Sequence, residues 1–205
     1  MRFDSLCWTG ALAVLTGCAA RGNAPAAAPL LPPEQVAVRV YLIGDAGAPA
    51  PGGEPVFKAL TRELESTSGD RVVVFLGDNI YPRGMPAPGR PGRPEAERRL
   101  AAQIEVITRT GATGYFVLGN HDWKGEGDGW AAVTRQEQFI DSAGAGRVAL
   151  EPAAGCPGPS AVDLGRRLRL VLMDTNWWLD PRASRHVSAC ATKSEPEIID
   201  SLRQA

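Results

Sequence analysis

Phe75-Leu76-Gly77-Asp78-Asn79-Ile80-Tyr81-Pro82-Arg83-Gly84 is the stretch on which the reading of this chain turns. Just upstream, Arg71-Val72-Val73-Val74-Phe75-Leu76 is a continuous apolar, β-branched run, the pattern of a strand buried on both faces. Gly77 ends the run and Asp78 follows at once, with Asn79 and Tyr81 in a loop closed by Pro82 and Gly84. A carboxylate at the carboxyl end of a buried strand lies where open α/β sheets bind ligands. The arrangement recurs on either side. Val40-Tyr41-Leu42-Ile43 runs into Gly44-Asp45-Ala46-Gly47, and Tyr115-Phe116-Val117-Leu118 runs into Gly119-Asn120-His121-Asp122. Three strands are therefore expected to deliver Asp45, Asp78 with Tyr81, and Asn120 with His121-Asp122 to one edge of a sheet.

The connecting segments read as helices. Pro55 suits a first helical turn, and Val56, Phe57, Leu60 and Leu64 then fall on one face. A second helix is expected over about 94–108, with Leu100, Ile104 and Ile107 inward and Gly111 as its stop. Strands over 36–43, 71–76 and 114–118 complete β-α-β-α-β, and right-handed crossovers make that a parallel sheet. Beyond it the reading is a Gly-rich loop over 123–130, a short helix over 133–142, and strands at 148–150, 161–164 and 168–173, the last ending in Asp174. Ser194 reads as the N-cap of a final helix carrying Pro196 in its first turn.

The three loop signatures, GDAG, GDNIY and GNHD, resemble those of the purple acid phosphatases, a branch of the calcineurin-like metallophosphoesterases. The resemblance implies an α/β fold, a four-layer α-β-β-α sandwich beginning with the parallel half, in which the strands after 148 belong to the second sheet. It implies a phosphate ester substrate and two metal ions, Fe(III) plus a divalent ion (Fe, Zn or Mn). Asp78 would bridge the two, Asp45 and Tyr81 would bind the first, and Asn120 the second. His121 would face the leaving group as proton donor, with Asp122 orienting its ring. The family's last two blocks, Val-x-x-His and Gly-His-x-His, do not occur here. The chain holds only two histidines, His121 and His186, and the second matches neither block. The expectation is thus a domain incomplete at its carboxyl end and inactive on its own.

Other features bear on location. Residues 1–17 read as a signal peptide, and Leu15-Thr16-Gly17-Cys18 resembles the lipobox of bacterial lipoproteins, which implies lipidation at Cys18. Residues 18–35, rich in Pro and Ala, read as a tether, or else as an arm packed on the domain, and 36–205 as the metallophosphoesterase domain. The implied place is the periplasmic side of the bacterial envelope, anchored in a membrane, or otherwise secretion. Cys156 and Cys190 read as a disulfide in that compartment, or as two separate thiols. A net charge of −1 gives no reason to expect a nucleic acid partner. Arg83, Arg90 and Arg93 could meet an anionic substrate or simply be solvated. Trp123, Trp130, Trp177 and Trp178 could wall a pocket or pack. The competing function is a non-catalytic envelope lipoprotein that keeps the fold as a binding or assembly module.

Overall fold

A computed structural model describes residues 32, 35–125, 127–180 and 188–205. The signal, the lipobox cysteine, most of the tether and His186 lie outside them. Four strands, β1 (Val38–Ile43), β2 (Asp70–Leu76), β3 (Thr113–Val117) and β4 (Val148–Leu150), form one parallel sheet in the order β1-β2-β3-β4. Helices α1 (Pro55–Ser66), α2 (Arg93–Thr110) and α3 (Gly129–Ala143) make the crossovers.

Alternation along β2 explains why its whole run is apolar. Val73 and Phe75 face the helices, where Phe57, Leu60 and Leu64 of α1, Leu100, Ile104 and Ile107 of α2 and Ile140 of α3 close the core. Phe75 stacks on Phe116 of β3 with ring centroids 4.6 Å apart. Val72 and Val74 face the other way, where with Val117 they meet Leu172, Val162 and Leu170. Those partners come from an antiparallel hairpin of β5 (Ser160–Leu164) and β6 (Leu168–Leu172). Helices, parallel sheet and hairpin are three successive layers. Fully burying one such side chain contributes about 1.5–3 kcal/mol, so this sheet is the stable platform for the loops at its carboxyl edge. Among the described residues no helix is long and apolar enough to cross a membrane.

Four local expectations are corrected. Residues 148–150 do not open the second sheet; β4 pairs in parallel with β3, Gly114 opposite Val148, and extends the first. Val56 is 54% exposed and leaves the buried stripe to Phe57, Leu60 and Leu64. Helix α3 starts at Gly129, four residues before the expected 133, because the Asp128 carboxylate accepts a hydrogen bond from the Ala131 amide at 3.2 Å and caps it. At α4 (Glu195–Gln204) the Ser194 side chain makes no cap bond; Glu197 instead accepts from the Lys193 amide at 2.6 Å.

Cys156 and Cys190 are joined in a disulfide, closing a loop of 34 residues. In the chain-entropy account such a loop is worth about 3–4 kcal/mol. Cys156→Ser with Cys190→Ser is expected to lower unfolding stability by that order, read from urea denaturation of oxidised protein. An unchanged midpoint would mean the bridge constrains nothing that unfolding releases.

Candidate metal centre

The carboxyl ends of β1, β2 and β3 carry the three loops to one edge, as the parallel order requires. Asp45 and Asp78 each adopt a left-handed backbone, with φ of 55° and 54°. Asp tolerates that region better than most residues, but it remains a strained choice outside glycine, and such strain gathers at functional sites. The consequence is convergence. The Tyr81 hydroxyl lies 2.6 Å from Asp45 Oδ1 and 2.9 Å from Asp78 Oδ2. Its single proton serves two carboxylates, and the hydrogen bond to Asp45, then burial and Asp78, push the phenol well above its usual range. Asp45, Asp78 and Asn120 line one cleft of about 250 Å³.

Close approach of the loops rests on two glycines. A Cβ at Gly47 would meet the Asp78 carbonyl, and one at Gly119 would meet the Asp78 amide and Oδ1. Helix α2 holds the middle loop from below. Gln103 Nε2 donates to the Asn79 carbonyl at 2.8 Å, and Arg99 Nη1 donates to the Tyr81 carbonyl at 2.5 Å. Arg99 is itself held by Glu95 at 2.7 Å, one turn back. The sequence reading missed both residues. The signal was a glutamine inside an apolar stripe, between Leu100 and Ile104.

Asp122 does not orient His121. Its carboxylate is fully buried and accepts from the amides of Asn79, Ile80 and Gly119 and from Asn79 Nδ2, at 2.9–3.2 Å. It ties the second loop to the third. His121 is held instead by Pro82, whose carbonyl lies 2.8 Å from Nδ1. A carbonyl only accepts, so Nδ1 carries a proton, and Nε2 is the ring nitrogen left for other partners. The ring leans on Tyr81 at 4.5 Å between centroids, and Nε2 lies 4.0 Å from Asp78 Oδ2. The His121 amide also donates to Asp78 Oδ1 at 2.9 Å.

Of the remaining candidates, Trp123 is a core residue and its Nε1 donates to Asp174 Oδ2 at 2.7 Å. Arg93 pairs with Glu97 and the Pro86 carbonyl, while Arg83 and Arg90 are exposed. Asp174, after β6, also accepts from the Asn176 amide at 2.9 Å. Thr175 and Asn176, which follow it, line the same cleft as Asp45 and Asp78 and were not foreseen.

Burial pushes the Asp174 carboxyl up to about 7, against the pull of its Trp123 and Asn176 donors. The folded state therefore keeps a proton that the unfolded chain gives up at the ordinary value near 3.8. Stability from this group is full below that value and falls as pH rises to about 7, by a few kcal/mol. Urea midpoints followed across the window should decline in the wild type and flatten in Asp174→Asn. A parallel decline in both would assign the slope to other groups.

The donor set is one of hard oxygens: two carboxylates and an amide that line one cleft, with the Tyr81 phenol hydrogen-bonded to both carboxylates. That set fits a hard cation such as Fe(III), magnesium or manganese. Among the described residues no three His, Cys, Asp or Glu side chains form a cluster able to hold an ion by themselves.

Residues 38–166 match the family model for calcineurin-like phosphoesterases, a span that takes in all three loops. The chain belongs to the calcineurin-like phosphoesterase family. No curated protein matches it. Members of this family are in general metal-dependent phosphoesterases with a dinuclear centre, and the parallel sheet and its loop edge are those of such a domain.

Proposed function

We propose that this calcineurin-like phosphoesterase domain is of the purple acid phosphatase type, hydrolysing phosphate esters outside the cytoplasm. The observation that carries the reading is the Tyr81 hydroxyl held between Asp45 and Asp78, with Asn120 lining the same cleft. In this reading Asp78 would be shared by the two sites, with Asp45 and Tyr81 belonging to one and Asn120 to the other. Two metal ions, when bound, supply a clamp on the attacking and leaving oxygens of the phosphoryl group. A phenol, whose ordinary pKa is about 10, is deprotonated near neutral pH only by a strong Lewis acid, which favours Fe(III) beside Tyr81 and a divalent ion beside Asn120. His121 presents Nε2 beside Asp78, where it can hold the proton needed by a departing alkoxide.

The disulfide supports export, since such bridges persist in oxidising compartments. With the lipobox-like Leu15-Thr16-Gly17-Cys18, it supports an envelope lipoprotein anchored through Cys18, or otherwise a secreted protein. Among the described residues the two sites hold too few nitrogen or carboxylate donors to bind metal tightly, so residues 1–205 are proposed to be inactive by themselves.

The test has two arms. Iron(III)-loaded protein is expected to show a visible phenolate-to-iron band that Tyr81→Phe abolishes. Iron held through Asp78 without colour would remove Tyr81 from the ligand set. Assayed with p-nitrophenyl phosphate over added iron, zinc and manganese, the segment is expected to show no turnover above His121→Ala. Metal-dependent turnover lost in that variant would uphold the phosphoesterase reading and refute the inactivity.

A further inference from the structure

The third loop ends in a tight turn, with the Lys124 amide donating to the His121 carbonyl at 3.1 Å. The two residues inside the turn are anchored inward. Asp122 is tied by the loop amides and Trp123 by Asp174, and both are buried. That leaves His121 and Lys124 to share the open side, where Lys124 Nζ lies 3.0 Å from His121 Nε2. Among the described residues no carboxylate lies within ion-pair distance of Lys124 (the residues that flank it in the turn offer none free). Its ammonium rests on the Nε2 edge of the His121 ring, a contact that an anionic oxygen would outcompete, because hydrogen bonds between two charged groups are shorter and stronger.

Geometry then constrains what a substrate meets. Nδ1 is taken by the Pro82 carbonyl, so Nε2 is the ring nitrogen that faces a ligand. Lys124 Nζ, 3.0 Å from Nε2, is placed to meet an anionic oxygen that approaches that nitrogen. We infer that Lys124 is a substrate-binding residue whose ammonium holds an anionic phosphoryl oxygen beside His121, favouring doubly charged monoester phosphate over singly charged diesters. The inference rests on the phosphoesterase reading above and deepens it: it adds a cation beside His121.

Binding can be tested without turnover. The probes are phenylphosphonate, a non-hydrolysable dianion, and its monomethyl ester, a monoanion. Both are titrated calorimetrically into protein with manganese(II) in excess, and manganese uptake is measured on the same samples. The wild type is expected to prefer the dianion, and Lys124→Met to weaken phenylphosphonate by roughly tenfold, the scale of one charge-assisted hydrogen bond. The same variant should shrink the preference over the monoester, and Lys124→Arg should keep most of both. Manganese uptake and the urea midpoint should not change in Lys124→Met, since the side chain is exposed. Equal phenylphosphonate affinity in wild type and Lys124→Met overturns the inference and leaves the phosphoesterase reading standing, provided manganese is bound. Wild-type protein that takes up manganese but binds no phosphonate also overturns it. Failure to take up manganese at all overturns both.

Discussion

Asp78→Asn is expected to abolish binding of both metal ions while leaving the fold intact. In the proposed centre this carboxylate is shared by both sites, its Oδ2 accepting from the Tyr81 hydroxyl and its Oδ1 from the His121 amide of the third loop. Asparagine tolerates the left-handed backbone found there, φ 54°, about as well as aspartate does. Its carbonyl can still accept from the His121 amide, so the loop should keep its shape. What goes is the negative charge shared by two cations, and affinity should fall by at least about a hundredfold, beyond the usual loss for an outer partner of a metal ligand. Asp45→Asn, by contrast, should remove only the ion beside Tyr81. Metal content after equilibrium dialysis against excess iron or manganese separates the cases. Full loading of Asp78→Asn would mean that the carboxylate is not the bridge.

How much of this was legible beforehand depends on how local each determinant is. The run Val72-Val73-Val74 names a strand buried on both faces because side-chain parity is written directly into it. The loops were legible for a similar reason, since each follows its strand without intervening residues. Val148-Ala149-Leu150 is too short to declare its sheet. Its place beside β3 is decided by the crossover through α3, a tertiary matter. The role of Asp122 was misread because it neighbours His121 in sequence. Adjacent side chains in a tight turn diverge, and this one points into the core, where three amides need an acceptor. Lys124 was invisible for the opposite reason. Nothing about a lysine in a Gly-rich loop marks it until the turn at His121 brings its ammonium onto Nε2.

Asp122→Ala is expected to cost about 3–5 kcal/mol of unfolding stability. The estimate follows from what would be orphaned. The amides of Asn79, Ile80 and Gly119 all donate to this carboxylate, and Asn79 Nδ2 does so too. Asn79 and Ile80 are themselves fully buried, so water is poorly placed to replace the lost acceptor. Each buried donor left without a partner costs about 1–3 kcal/mol, reduced where the loop can relax. Asp122→Asn should be milder. One oxygen remains for two of the amides, while the new NH₂ group opposes the others. The substitution also removes a carboxyl that burial pushes up to about 6, so keeping it ionised at neutral pH costs more than it would for an exposed carboxylate. Loosened loops should then separate Asp45, Asp78 and Asn120, so that Asp122→Ala loses metal uptake through a fault in positioning rather than in ligation. Urea unfolding of both variants, with the 15N signals of the His121 ring as a second readout, discriminates this account from one in which Asp122 orients the imidazole. In the orienting account Asp122→Asn would shift the ring signals with little loss of stability. Here the ring stays on the Pro82 carbonyl and the stability drops.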